Sequence, residues 1–291
     1  MSGNERIIKE FRENNGKVGG MFEGVPLVLL TTAGRRTGRP HTTPVVRLLD
    51  GRRHLVFASN GGGPKHPEWY HNLLASPQVT METGTDEGHV KPFATRAVVL
   101  EGEERDRQYE RQCLVNPAFR DYREKSDRVI PVVALYPLDL AADSERNRMI
   151  GRQLVVHHDE LRVELAEVRA AVAAARAGAA APRPTAGLAR QLHRRCLTFC
   201  YGLQLHHTRE DGSFTAFEQH FPHLAPVITR LREEHKVVEG ALARLEQVLQ
   251  APDEDLAAVG AELDRVLDGL EEHFAYEEEH LLPALGAPHP S

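Results

Sequence analysis

The first half of the chain alternates short apolar runs with turns, a pattern typical of β-strands. Asp50-Gly51 joins two such runs and is a hairpin signal. Helices are predicted at 67–75 and 101–116. The predicted strands are 25–32, 42–49, 54–59, 78–83, 91–100 and 129–136. This half therefore predicts a small antiparallel barrel with helices at its edges.

After Pro137 the pattern becomes helical. Residues 143–285 are rich in Leu, Ala, Glu and Arg and contain no stretch with the period of a strand. Proline-containing breaks divide the region into four predicted helices, at 148–176, 186–217, 224–250 and 253–282. The chain is thus predicted to be an α+β protein with two domains, at 1–142 and 148–285.

Composition narrows the class of protein. A length of 291 residues suits about two domains, and a net charge of −6 argues against a nucleic-acid partner. Three cysteines form no CxxC pair. The N-terminus lacks the apolar core of a signal peptide, and no apolar run reaches the roughly 18 residues of a membrane helix. We therefore expect a cytoplasmic protein with no membrane span.

Histidines distinguish the second half, because each predicted helix carries at least one beside apolar residues. They are His157 and His158, His206 and His207, His235, and His273. Glu210, Glu239 and Glu277 follow histidines by four residues, a spacing that places both side chains on one helix face. Such histidines could simply be solvated. However, burial beside apolar residues is costly without a ligand to coordinate, and a mixed imidazole and carboxylate set favours iron or manganese.

These motifs resemble the hemerythrin-like (HHE) cation-binding domain. The resemblance rests on HDELR from His158, HHTRED from His206, Glu234-His235, and HFAYEEEHLLP from His273. It implies an up-down four-helix bundle with two non-haem iron ions, and Glu210 and Glu277 as bridging, catalytic carboxylates. The implied metal ligands are His158, His206, Glu210, His235, Glu239, His273 and Glu277.

Two features of this ligand set stay open. Spacing alone does not decide between His157 and His158, or between His206 and His207; we prefer His158 for its place before the DELR stretch and His206 for its pairing with Glu210. Hemerythrins carry a second histidine at the position of Glu239. A more carboxylate-rich site argues against simple reversible O2 carriage.

Two loops in the first half carry cations and glycines where strands end. Arg35, Arg36 and Thr37 lie in one loop, and the other runs from Ala58 to Lys65. Guanidinium groups and glycine-rich backbone bind phosphate or carboxylate oxygens well. The alternative for either loop alone is an ordinary hairpin. Trp69 could cover an aromatic ligand or belong to the core.

The same half resembles the deazaflavin-dependent nitroreductase family over residues 5–137. The resemblance rests on PLVLLTTAGRRTGRPHTTPV, LVFASNGGGPKHPEWYHNLLASPQV and DRVIPVVALYP. It implies an FMN-binding-like split β-barrel that binds reduced coenzyme F420 and pairs into a homodimer. The implied cofactor-binding residues are Arg35, Arg36, Thr37 and Lys65 for the phosphate and tail, and Pro44, Ala58, Ser59, Asn60 and Trp69 for the ring. His41 stands where the family often has arginine, and Phe119 where some members have a substrate-site tyrosine, with Tyr122 nearby as the candidate catalytic residue.

Joined on one chain, the two halves predict an F420-dependent oxidoreductase. Reduced deazaflavin would supply electrons for chemistry at the di-iron centre, with O2, peroxide, NO or an organic substrate as acceptor. Two alternatives remain: a di-iron sensor or storage protein without steady turnover, or two independent activities with the barrel a quinone or nitro reductase.

Overall fold

The structure is a computed structural model that describes residues 3–141, 143–178, 186–249, 256–267 and 269–287. For 176–178, 186–193, 256 and 267 it describes the backbone alone. Two compact units make up the chain: Met1–Leu138 with Thr208–Ala216, and Asp139–His207 with Phe217–Ser291. The domain limits drawn from the sequence stay a prediction.

Six strands close into an antiparallel barrel in the order β1-β2-β3-β6-β5-β4. They are β1 Leu27–Ala33, β2 Pro40–Asp50, β3 Arg53–Phe57, β4 Gln78–Gly84, β5 Val90–Leu100 and β6 Val132–Pro137. The hairpin predicted at Asp50-Gly51 joins β2 to β3, with Asp50 paired to Arg53. Closure comes from β1 pairing with β4 as well as β2, which leaves the sheet no unpaired edge. The predicted barrel is confirmed.

The barrel interior is filled by apolar side chains from all six strands. They include Val28, Leu30, Val45, Val56, Met81, Ala97, Val133 and Leu135. Four helices belong to this half: α1 Gly3–Glu13, α2 Glu68–Ala75, α3 Gly102–Val115 and α4 Ala118–Glu124. Of these, α2 and α3 match the predicted helices. Two helices were not predicted from the sequence: α1, whose Phe11 is fully buried, and α4.

Most described residues of the second half are helical. Its helices are α5 Ser144–Gly178, α6 Ala186–His220, α7 Ala225–Leu249, α8 Leu256–Leu267 and α9 Leu270–Leu285. Both α5 and α7 pack against α8 and α9. One apolar core joins them, with Leu161, Phe199, Leu203, Leu245, Leu263 and Phe274 among its members.

The fourth predicted helix, 253–282, is interrupted. The structure has two helices there, and Gly269 immediately precedes the second of them with φ at +89°. Positive φ is easy for glycine and incompatible with a continuing right-handed helix. The break sets the start of α9, which carries His273 and Glu277.

In the described part of the chain, no helix is both long enough and apolar enough to cross a membrane.

Candidate functional site

The histidines of the helical half converge on two adjacent groups of buried ligands. One group is His207, Glu210, His235 and His273, and the other is His158, His206, Glu210 and Glu277. Within each group the ligand atoms all lie within 4.8 Å of one another, and all seven residues are buried. Donors that surround one ion at about 2.0–2.2 Å lie within roughly 4.4 Å of each other. Each group therefore fits one metal ion after small adjustments.

Glu210 belongs to both groups. It lies on α6 one turn beyond His206 and His207, so a single helix contributes to both halves of the centre. A carboxylate has two oxygens, and one can serve each ion. Glu210 would therefore be able to serve an ion in either group.

The surroundings of Glu277 also indicate a site for a cation. Its side chain is only 1% exposed, and neither carboxylate oxygen accepts a hydrogen bond from any described residue. Its Oε2 lies 3.4 Å from Nε2 of His158 and 3.9 Å from Nε2 of His273. A buried carboxylate without hydrogen-bond donors is costly, and a metal ion between these groups would remove that cost.

Two further glutamates hold the imidazoles in position. Nδ1 of His158 donates to Oε1 of Glu278 at 2.6 Å, and Nδ1 of His273 donates to Oε2 of Glu234 at 2.7 Å. A histidine whose Nδ1 carries the proton presents the lone pair of Nε2, here on the side of the ligand groups. Both glutamates lie within the motifs quoted from the sequence, but this supporting role was not predicted, because each is matched to its histidine only by helix packing.

Hydrogen bonds from histidines and the charges of arginines lower the pKa of both supporting carboxyls. Burial favours the neutral form of Glu278, but the hydrogen bond from His158 and the charge of Arg162, at 3.3 Å, hold the pKa of that carboxyl below its ordinary value. His273 and Arg230, at 2.7 Å, outweigh burial in the same way and lower the pKa of Glu234. Each candidate metal group therefore has a carboxylate hydrogen-bond acceptor behind one imidazole.

The structure distinguishes the members of each histidine doublet. His158 is fully buried in the second group, whereas His157 is partly exposed and lies 3.5 Å from Glu160. His206 and His207 both belong to the centre, one in each group. The spacing along α6 favoured His206 alone, because spacing within one helix does not show that two neighbouring residues belong to different groups.

Glu239 is not brought to the centre, contrary to the expectation from the sequence. Its side chain is exposed and lies outside both groups. The buried stripe of α7 runs from Leu231 through His235 to Leu242 and Leu245, and passes the half-buried Val238 rather than Glu239. The third imidazole of the first group comes from His207 instead.

In the barrel half, α2 holds the first of the two predicted cofactor loops. Arg35, Arg36 and Thr37 are exposed in the turn between β1 and β2. The backbone N–H of Arg35 donates to Oδ1 of buried Asn72 at 3.1 Å, and Nδ2 of Asn72 donates to Oγ1 of Thr32 at 3.1 Å. Asn72 on α2 thus fixes the cationic turn, a role that the sequence did not reveal.

The second loop, 58–67, is held by Arg128. Its guanidinium donates to the carbonyls of Ser59 and Gly63 at 2.7 and 3.1 Å, and to Nδ1 of His66 at 2.8 Å. Ala58 and Ser59 are buried at the end of β3, whereas Asn60 and Lys65 are exposed, with Nδ2 of Asn60 donating to the carbonyl of Lys65 at 3.0 Å. The loop presents these two side chains outward from a fixed backbone.

The residues predicted to border the ring or the substrate differ in burial. Pro44 is half-buried in β2 opposite Leu29. Trp69 is buried among the barrel side chains, and its place beside the ring stays a prediction. Phe119 is also a core residue, whereas Tyr122 is partly exposed on α4. The backbone of Tyr122 lies so close to Gly62 that a Cβ at that glycine would contact it.

Comparisons with known proteins agree with both halves. A family model described as F420H(2)-dependent quinone reductase matches residues 5–137, and one described as hemerythrin HHE cation binding domain matches residues 149–285. An F420H(2)-dependent quinone reductase of Mycobacterium tuberculosis H37Rv is 36% identical over 131 residues, which covers 43% of this chain and 83% of that protein.

Two solved structures resemble the first half. One, an F420-H2 dependent reductase, is 37% identical with a TM-score of 0.34, and covers 38% of this chain and 93% of that chain. The other, described as a domain-swapped dimer, is 36% identical with a TM-score of 0.36, and covers 45% of this chain and 92% of that chain. Through residues 5–137 the chain belongs to the F420H(2)-dependent quinone reductase family, and residues 149–285 match the model of the hemerythrin HHE cation binding domain.

Proposed function

We propose that this protein is an F420-dependent oxidoreductase that couples oxidation of the reduced deazaflavin to chemistry at a di-iron centre in its helical half. The observation that carries the proposal is the sharing of Glu210 by two buried groups of imidazoles and carboxylates. Family membership of the barrel half supports the choice of F420. The acceptor would be O2, peroxide, NO or an organic substrate.

The metal ions would be held by five histidines and two glutamates. His207, His235 and His273 would bind one ion, His158 and His206 the other, with Glu210 between them and Glu277 closer to His158. Iron suits such a mixed set of imidazoles and carboxylates. Two iron ions in this position would supply one-electron redox chemistry with oxygen species or NO.

The surrounding residues orient the ligands and exclude water. Glu278 and Glu234 accept the Nδ1 protons of His158 and His273, so the Nε2 atoms of both rings keep their lone pairs for the centre. Phe274 stacks on His158 with ring centroids 4.2 Å apart. This apolar face keeps bulk water away from one imidazole and limits the motion of its ring.

In the barrel half, the exposed cations would bind the anionic part of F420. Arg35, Arg36 and Thr37 in one loop and Lys65 in the other offer charge and hydrogen-bond donors to a phosphate or carboxylates. Pro44, Ala58, Ser59 and Asn60 would border the ring. The cofactor supplies hydride; the protein supplies binding and orientation, with Tyr122 as the candidate residue on the substrate side.

Two other functions are compatible with this chemistry. In one, the centre senses or stores iron, oxygen or NO without steady turnover. In the other, the halves act independently and the barrel reduces quinones, as the names of its relatives indicate for those proteins. Covalent linkage raises the effective concentration of donor and acceptor, which favours the coupled enzyme.

The proposal is tested in two separate steps on the full chain. Metal content after anaerobic loading should reach two iron ions per chain, and Glu210→Ala should lower it, because both groups lose a ligand. Anaerobic oxidation of reduced F420 by a quinone such as menadione should survive Glu210→Ala and be lost in the double variant Arg36→Ala, Lys65→Ala. Loss of quinone reduction in both would contradict the assignment of the two functions to different halves.

A further inference from the structure

The two ligand groups of the centre differ in chemistry although they share Glu210. One offers three imidazoles, from His207, His235 and His273, with no carboxylate besides Glu210. The other offers two imidazoles, from His158 and His206, and the additional carboxylate of Glu277. The first group is therefore rich in nitrogen and the second in charged oxygen.

The division originates in two consecutive residues of α6. The rings of His206 and His207 are 5.5 Å apart, and each pairs with a different neighbour. His207 stacks on His235 with centroids 4.1 Å apart and planes at 16°, whereas His206 meets His158 edge to face at 5.0 Å and 87°. Backbone geometry at this one step assigns an imidazole to each group.

Glu277 increases the difference in negative charge between the two groups. Its Oε2 is closer to Nε2 of His158, at 3.4 Å, than to Nε2 of His273, at 3.9 Å. The supporting anions do not cancel this difference, because Glu278 behind His158 and Glu234 behind His273 form one hydrogen bond each. The excess negative charge therefore lies on the side of His158.

Imidazole ligands suit Zn²⁺ and Fe²⁺, whereas carboxylate oxygens suit Mn²⁺. We propose that the two groups sort different divalent cations, a borderline ion such as Zn²⁺ or Fe²⁺ at His207, His235 and His273, and Mn²⁺ at His158, His206 and Glu277. Offered iron alone, the chain fills both groups; offered a mixture, it binds one ion of each kind. This inference rests on the dinuclear centre of the proposed function and adds a preference to each half of it.

Anomalous diffraction tests the sorting directly. Crystals of the full chain, stripped of metal and given one equivalent each of Zn²⁺ and Mn²⁺, are measured at the absorption edges of both elements. The zinc peak is expected beside His207, His235 and His273, and the manganese peak beside His158 and Glu277, each at least fivefold stronger than the other element in the same place. Mixed or reversed peaks would overturn the sorting alone. Absence of any peak would overturn the metal centre as well.

Adjacent variants provide the matched test in solution. His207→Gln should lower the affinity for the first Zn²⁺ bound at least tenfold. His206→Gln should lower the affinity for Mn²⁺ at least tenfold and leave the affinity for the first Zn²⁺ unchanged. Zn²⁺ is followed by competition with a chromogenic chelator and Mn²⁺ by the EPR signal of the free ion. Equal effects of the two variants on Zn²⁺ would contradict the proposal.

Controls keep this result interpretable. Glu239→Gln, exposed on α7, should change neither affinity. Circular dichroism shows whether each variant keeps its helices. If either histidine variant fails to fold, His235→Gln and Glu277→Gln replace the pair, with the same expected loss of Zn²⁺ and Mn²⁺ respectively.

Discussion

Oε2 of Glu234 lies 2.7 Å from Nδ1 of His273, and the same carboxylate is paired with Arg230 at 2.7 Å. The equivalent relationship on the other side of the centre joins Glu278 to His158 and Arg162. A carboxylate behind a metal-binding imidazole fixes the tautomer and raises the basicity of the ligand. The two halves of the centre are thus supported by the same chemistry from different helices.

Replacing either supporting carboxylate should weaken metal binding without removing a ligand. Glu234→Ala and Glu278→Ala are each expected to lower iron affinity by about 10–100-fold, because the imidazole loses its fixed orientation. Competition with a chelator under anaerobic conditions measures the change. The matched control is Glu233→Ala, next to Glu234 but exposed and paired with Lys236. An equal loss in the control would contradict this role for Glu234 and Glu278.

Asn72 is uncharged, but replacing it should weaken the binding of reduced F420 because it fixes the cationic turn. Asn72→Ala leaves the Arg35 amide and the Thr32 hydroxyl without this buried partner, at a cost of about 1–3 kcal/mol in unfolding free energy. The KM for reduced F420 should rise by about tenfold, with a smaller change in kcat. Steady-state quinone reduction and thermal unfolding measure both effects.

Glu68→Gln is the control for that variant, since it removes only the exposed ion pair of Arg35 with Glu68 at 3.5 Å. Exposed pairs contribute about 0–1 kcal/mol, so both KM and stability should stay close to the parent values. If Glu68→Gln raised KM as much as Asn72→Ala, the exposed pair rather than the buried amide would order the turn.

Arg128→Lys should loosen the loop 58–67. A lysine ammonium is a point charge and does not reproduce three donors spread over Ser59, Gly63 and His66. The KM for reduced F420 is expected to increase several-fold, and protease cleavage in the loop should accelerate. Arg123→Lys, whose exposed pair is with Glu110, should leave both unchanged; unaltered cleavage in Arg128→Lys would contradict the anchoring role.

The cysteines should be inert toward thiol reagents in the native protein. Burial raises the pKa of Cys196 to about 11 and that of Cys200 to about 12, and it also raises the pKa of Cys113. At pH 8 only about 0.1% or less of the Cys196 and Cys200 thiols would be ionised, and the thiolate is the reactive form. Ellman's reagent should detect no thiol before denaturation and three after it. Rapid native labelling would show that the bundle core opens.

Local patterns were enough to predict most of the barrel. The strands were predicted to within a few residues because alternation and turn residues are properties of the chain itself. The helix α1 was missed although Ile7 and Phe11 carry a helical spacing, and α4 was missed because seven residues show too little periodicity. The break before α9 depended on one glycine, Gly269, and an isolated glycine within a helical pattern is often tolerated.

The centre was predictable only in part. Histidine positions identified the ligand helices, but not which face of each helix turns inward. A four-residue spacing was expected to bring Glu239 in beside His235, whereas the stripe of α7 leaves it exposed. His207, Glu234 and Glu278 acquire their roles from partners on other helices; Glu278 and His158 are 120 residues apart in the sequence. Such pairings follow from packing rather than from any local motif.

Coupling of the two halves is tested by the rate at which the iron-loaded protein oxidises reduced F420, started without oxygen and then exposed to O2. We expect a burst of oxidation on admission of O2 that disappears in the variant His206→Ala, Glu210→Ala. No oxygen-dependent rate from a fully iron-loaded protein would contradict the coupling of the two halves, and a burst that persists in the variant would place oxygen chemistry away from the metal centre.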